Sequence, residues 1–166
     1  MKRFLTILLL SFITFSSVYA QQIDVEVIIV PPYSNQLDDY FHDLDKTIIT
    51  LTNTGNNSAN VNLKFDLFRN GNPFASVKPE YKITQPIVLA PQEIKILTGS
   101  ALDDAFSAFS LDNMDHTLTD KEQFNLNVYK ILPEGYYDLC VKAYDYVTDR
   151  ILSPEGGGRG CTGFTI

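Results

Sequence analysis

Leu132-Pro133-Glu134-Gly135-Tyr136-Tyr137-Asp138-Leu139-Cys140-Val141-Lys142-Ala143-Tyr144-Asp145, read with the tail Cys161-Thr162-Gly163-Phe164-Thr165-Ile166, decides the fold. From Tyr137 the pattern alternates: Tyr137, Leu139, Val141 and Ala143 fall on one face, and Asp138, Cys140, Lys142 and Tyr144 on the other. That is the period-2 signature of a half-buried strand, and Pro133-Glu134-Gly135 supplies the turn before it. If the tail returns antiparallel with Cys140 opposite Cys161, Leu139 meets Thr162 and Tyr137 meets Phe164, so the apolar residues of both strands share a face. Register and side-chain parity agree, which two cysteines placed at random would achieve only about half the time. The expectation is the closing hairpin of a β-sandwich.

Composition bounds the compartment. Lys2 and Arg3, the apolar run Phe4 to Phe15 and the small-residue zone ending Val18-Tyr19-Ala20 read as an export signal cleaved after Ala20. About a dozen apolar residues are too few to span a bilayer comfortably, so a membrane anchor is the weaker reading, and no transmembrane segment is expected after cleavage. Residues 21–166 then form one domain, long enough for a single packed core. Losing Lys2 and Arg3 takes the formal charge from −7 to −9. Nucleic acid, whose phosphates demand a basic surface, is excluded as a partner. Two cysteines in an exported chain are most simply one disulfide, Cys140 to Cys161, closing a loop of about twenty residues worth roughly 3 kcal/mol. A redox or zinc pair would need CxxC spacing or neighbouring histidines, which are absent from the sequence around them.

Along the expected mature chain, Gln22 to Val30 opens with alternation and reads as a first strand, stopped by Pro31-Pro32, which have no amide hydrogen for a ladder. Tyr33 to Lys46 is a long polar loop with a short helical turn inside it. Thr47 to Thr52 is a second strand, broken by Asn53 to Ser58. Ala59 to Arg69 is the clearest strand, with Val61, Leu63, Phe65 and Leu67 inward and Asn62, Lys64, Asp66 and Phe68 outward. Asn70-Gly71 predicts a two-residue hairpin returning through Pro73 to Val77, at an edge or irregular because of the proline. Ile87 to Pro91 and Glu93 to Leu97 follow with the Pro91-Gln92 break between them, resembling the strand, proline turn, strand pattern before the E strand of immunoglobulin-like domains. Ser100 with Asp103 resembles a capping box, and Leu102, Ala105, Phe106 and Phe109 share a helical face, predicting a short helix. Thr119 to Phe124 fits either a helical turn or the lead into a strand.

Chemistry-bearing constellations are sparse. A nucleophilic triad needs Ser, Cys or Thr beside a base and an orienting acid; His42 and His116 are each expected in a polar Asp-bearing loop and no Ser occupies a nucleophile elbow. No enzyme is expected. Tyr33, Asp38, Asp39, Tyr40, His42, Asp43 and Asp45 gather in one loop and are the candidate ligand or partner contacts. Their spacing matches no EF-hand, and solvated aspartates are the simpler reading, so no cofactor is expected, with calcium in this loop as the alternative. Gly156-Gly157-Gly158-Arg159-Gly160 lacks the flanking strand, helix and lysine of a phosphate loop and reads as a hairpin connection. Tyr33, Tyr40, Phe41, Tyr136, Tyr144 and Tyr146 lie in loops or at outward positions; covering the core at the sandwich ends is favoured over stacking on sugars, and the chain has no Trp. Asn56-Asn57-Ser58 fits the N-glycosylation pattern.

Pro31-Pro32-Tyr33-Ser34, Ile49-Thr50-Leu51-Thr52-Asn53, Leu89-Ala90-Pro91, Leu132 to Val141, Ala143 to Tyr146 and Cys161-Thr162-Gly163-Phe164, in that order, resemble the TANFOR-type domain of exported Bacteroidetes proteins. The resemblance implies a surface or extracellular, non-enzymatic protein, commonly placed ahead of fibronectin type III-like modules, and supplies no catalytic residues. The sequence therefore predicts an all-β, immunoglobulin/fibronectin III-like antiparallel β-sandwich with one or two short helices in its connections. It is expected in the periplasm, on the outer-membrane surface or outside the cell, interacting with a protein or another cell-surface component. The alternative function is a glycan- or calcium-binding module using residues 33–45. The last expected strand ends at Ile166, which fits both a free-standing domain and the first module of a longer protein.

Overall fold

A computed structural model describes residues 23–40, 46–99, 101–102, 111–154 and 160–166. The expected signal peptide, most of the helix expected over Ala101 to Phe109, and the glycines of the 156–160 loop other than Gly160 lie outside the described residues.

Three strands, β1 (Ile23–Ile29), β2 (Thr47–Asn53) and β6 (Ile94–Leu97), form one antiparallel sheet in the order β1-β2-β6. The facing sheet runs β7 (Met114–His116), β4 (Asn72–Val77), β3 (Ala59–Arg69), β8 (Tyr136–Asp145), β9 (Cys161–Thr165), with β5 (Ile87–Leu89) paired to the start of β3. All pairings are antiparallel. β1 packs across the interior onto β8 and β9. This is an immunoglobulin/fibronectin III-like β-sandwich in which β1, β2 and β6 take the places of strands A, B and E, and β3, β8 and β9 those of C, F and G. β5, in the chain position of strand D, pairs with β3 rather than joining β6, so the Pro91-Gln92 break carries the chain from one sheet to the other.

The closing hairpin has the expected register: Tyr137 pairs with Phe164, Leu139 with Thr162 and Cys140 with Cys161. The two cysteines form a disulfide with Cα atoms 4.0 Å apart. Side chains alternate as the sequence predicts. Val25, Val27, Ile49, Leu51, Val61, Leu63, Phe65, Leu139, Val141 and Ala143 are all buried between the sheets. Each such aliphatic residue removed from water contributes about 1.5–3 kcal/mol, and this continuous interior holds the two layers together.

Asn70 and Gly71 both take positive φ, 52° and 76°, as a two-residue hairpin turn matched to strand twist requires. The return strand is irregular: Leu67 pairs with Ala75 and Phe68 with Pro73, leaving Phe74 as an extra residue. The bulge points two consecutive side chains inward, burying both Phe74 and Ala75.

Two features go beyond the sequence reading. The outward face of β3 is not solvated at Asn62 and Lys64, both of which are buried. The connection from Lys78 to Ile83 crosses over them: Asn62 donates to the Tyr81 carbonyl and accepts from the Ile83 amide, and Lys64 donates to the Pro79 carbonyl. The segment at Thr119 is a helix, α1 (Asp120–Tyr129). Thr119 caps it, accepting from the Glu122 amide while the Glu122 carboxylate accepts from the Thr119 amide. Among the described residues no helix is long and apolar enough to cross a membrane.

Candidate interaction surfaces

Loop residues 31–40 fold over one end of the sandwich, and their placement divides the expected contact residues. Tyr40 is a core residue, 1% exposed. Its hydroxyl donates to the Ser34 carbonyl and accepts from the Ser34 amide, at 2.6 and 2.9 Å. Burial pushes its phenol above the ordinary tyrosine range. Its ring lies 5.3 Å from Phe164, which stacks on Tyr137 at 5.4 Å; Phe74 meets Tyr137 edge-on at 5.6 Å. These aromatics plug the gap where β1 ends at Pro31-Pro32. Tyr33 sits on top, 43% exposed, its ring 6.0 Å from Phe164. Asp38 and Asp39 are half-buried. His42, Asp43 and Asp45, like Phe41, lie outside the described residues.

Among the described residues no group of three or more His, Cys, Asp and Glu side chains is arranged to hold a metal ion. His116 stands not in a loop but in β7, paired with Ala75 because the bulged return strand β4 gains a further neighbour there; it is half-buried, its Nδ1 shielded and without a hydrogen-bond partner.

The remaining outward aromatics have structural work. Tyr146 donates to the Ile83 carbonyl, and the Lys64 ammonium lies 4.6 Å from the centre of the Tyr144 ring. Together they fasten the 78–83 crossover to the sheet. Tyr136 is exposed and donates to Asp138, which raises its phenol. Its hydroxyl end sits close over Gly163, where a Cβ would come within 2.1 Å of the hydroxyl oxygen, so any larger residue there would have to push the exposed phenol aside.

A second surface is absent from the sequence reading. Ile28, Ile94 and Ile96 point outward from the three-stranded sheet, and Ile94 and Ile96 are each 64% exposed. Across the same face, Thr52 pairs with Ile94, Thr50 with Ile96 and Ile48 with Ile28. The result is a β-branched face bordered on β1 by exposed Asp24 and Glu26.

Among the described residues β6 pairs only with β2, so its other edge is open. The Asn53 amide donates to the Glu93 carbonyl at 2.9 Å, which fixes the ladder phase. Leu51 and Lys95 are therefore a hydrogen-bonded pair, whereas the N–H and C=O groups of Ile94 and Ile96 turn away from β2. Lys95 points the other way, toward the gap between the sheets, and donates to the Val88 carbonyl at 2.7 Å. The available signal was Ile94-Lys95-Ile96-Leu97 itself: alternation puts either the lysine or both isoleucines on the wrong side, which marks an edge.

No family model, curated protein or solved structure matches this chain.

Proposed function

We propose that this chain is an exported, non-catalytic β-sandwich of the TANFOR type, acting in protein interaction or assembly at the bacterial cell surface. The observation that carries the reading is the outer face of the β1-β2-β6 sheet, where Ile94 and Ile96 stand side by side at 64% exposure. Contiguous exposed aliphatic side chains on a folded domain are the usual mark of a surface that another protein covers. The Cys140–Cys161 disulfide supports an oxidising compartment, and the formal charge of −7 disfavours a nucleic-acid partner. Ordered aromatics at the loop 31–40 end support a structural role for Tyr40 and leave Tyr33, Asp38 and Asp39 as the expected contact residues still accessible among the described ones.

Crosslinking of intact cells producing the tagged full chain, followed by capture and peptide identification, tests the reading. A discrete protein partner lost on replacing Ile94 and Ile96 with Thr is the expected result. Capture of nothing beyond what an unrelated exported sandwich captures would overturn it.

A further inference from the structure

Resting on this interaction reading, we propose that the edge of β6 binds an extended segment of a partner protein. An acidic residue in that segment, flanked by two β-branched or aromatic residues, pairs with Ile94-Lys95-Ile96 as a fourth strand of the sheet.

The backbone supplies the first part of the argument. Ile94 and Ile96 present N–H and C=O groups on the open side of β6, and no described residue satisfies them. An added strand would bond both residues without disturbing the β2 ladder, the physical basis of strand addition. The side chains supply the second part. Residues of the guest opposite Ile94 and Ile96 would project to the outer face and cover the two isoleucines, extending the β-branched rungs begun by Thr52 and Thr50.

Lys95 supplies the specificity. Its ammonium reaches one carbonyl, that of Val88, and no described carboxylate lies within ion-pair distance. A guest residue opposite Lys95 would share its face, so a carboxylate there gains a charge-assisted partner, whereas a lysine meets a like charge directly across the pair. The same consideration argues against a second copy paired about Lys95, the register in which the two Ile94-Lys95-Ile96 segments face each other, because it would set Lys95 against Lys95.

Other strand edges are less suited to this, β5 among them because it offers only three residues. The Ile23 amide at the head of β1 bonds the Leu152 carbonyl, Asp24 and Glu26 flank the strand, and Pro31-Pro32 ends it. β9 carries the disulfide and Gly163, and β7 offers only three residues.

The test uses the full chain and the synthetic peptide Thr-Val-Thr-Val-Glu-Val-Thr-Val-Thr, with an analogue carrying Lys in place of Glu, followed by amide resonances and hydrogen exchange. The Glu peptide is expected to shift and protect the Ile94 and Ile96 amides, and the Lys analogue to bind about fivefold more weakly. Lys95→Glu should reverse that order. Ile96→Pro should abolish binding while keeping the fold, because the amide it removes makes no ladder bond; circular dichroism checks both variants. Equal binding of the two peptides, protection elsewhere, or peptide-independent dimerisation through the same amides would overturn the proposal. If the peptides fail while crosslinking still captures a partner, the edge proposal falls and the interaction reading stands. If the peptides bind as expected and cells yield no partner, the interaction reading falls instead.

Discussion

Tyr137 and Phe164 lie opposite one another on β8 and β9 with their rings stacked 5.4 Å apart and 18° from parallel. The Tyr137 hydroxyl donates to the Pro133 carbonyl at 2.6 Å, tying the turn before β8 to the strand itself. The stack thus joins three things: the closing hairpin, the loop 31–40 through Tyr40, and the bulged return strand through Phe74.

Burial pushes the Tyr137 phenol up to about 12. The folded state favours the neutral phenol, so the stability it contributes is complete below pH 10 and is lost as pH rises toward 12. Tyr137→Phe should cost about 1 kcal/mol at neutral pH, through an unsatisfied Pro133 carbonyl, and should flatten the decline in stability above pH 10. Urea midpoints measured at pH 7 and pH 11 check both halves. An unchanged alkaline slope in the variant would locate that decline elsewhere, with Tyr40 the next candidate because burial raises it as well.

Glu122 is held down to about 2, chiefly by the Thr119 backbone amide and then by Arg69, whose guanidinium approaches to 2.7 Å. The depressed value means that this carboxylate stabilises the fold fully above its ordinary range near 4.5, and that the contribution disappears as pH falls toward 2. Glu122→Gln should lower stability at pH 7 by about 1 kcal/mol, since the cap and a partly solvated ion pair are each modest. At pH 2 the variant and the parent should converge. Thermal melts at the two pH values decide this, and a deficit that persists undiminished at pH 2 would contradict it.

Legibility in the sequence followed the range of the forces involved. The β8–β9 register could be read because side-chain parity and cysteine position are both local, and they agreed. α1 was ambiguous for a definite reason. Phe124, Leu126 and Val128 alternate like a strand, while Thr119 and Glu122 form a capping box. The cap prevailed, leaving Phe124 and Val128 each 55% exposed on the helix. Burial of Asn62 and Lys64 depends on crossover partners fifteen or more residues downstream, beyond the reach of any period-2 argument. Tyr40 looked like a loop contact because only the fold brings Phe164 beneath it. The free side of β6 could not be known until its partner β2 and the ladder phase were known.

Removing the disulfide should act through the unfolded chain. Cys140 and Cys161 are 21 residues apart, and releasing that loop should cost roughly 3 kcal/mol in the chain-entropy model. Cys140→Ser and treatment of the parent with a thiol reductant should lower the melting temperature by similar amounts. Partner capture should survive at temperatures where the variant is folded, since β6 lies in the other sheet. Equal melting temperatures for the variant and the oxidised parent would contradict this account.

Lys64 and Asp149 form an ion pair of unequal enclosure, at 2.8 Å, with the lysine side chain 9% and the aspartate side chain 37% exposed. The asymmetry makes the two truncations unequal. Asp149→Ala leaves a nearly buried ammonium with the Pro79 carbonyl and the Tyr144 ring as its remaining partners, whereas Lys64→Met leaves a carboxylate that water can reach. Uncompensated buried charge is the costlier defect, so Asp149→Ala should destabilise by about 2–3 kcal/mol and Lys64→Met by about half that. The double variant should be no worse than Asp149→Ala, because the stranded charge is then gone. Denaturant melts of the four proteins close the cycle. A double variant that simply sums the two losses would show that the pair holds the 78–83 crossover by packing alone.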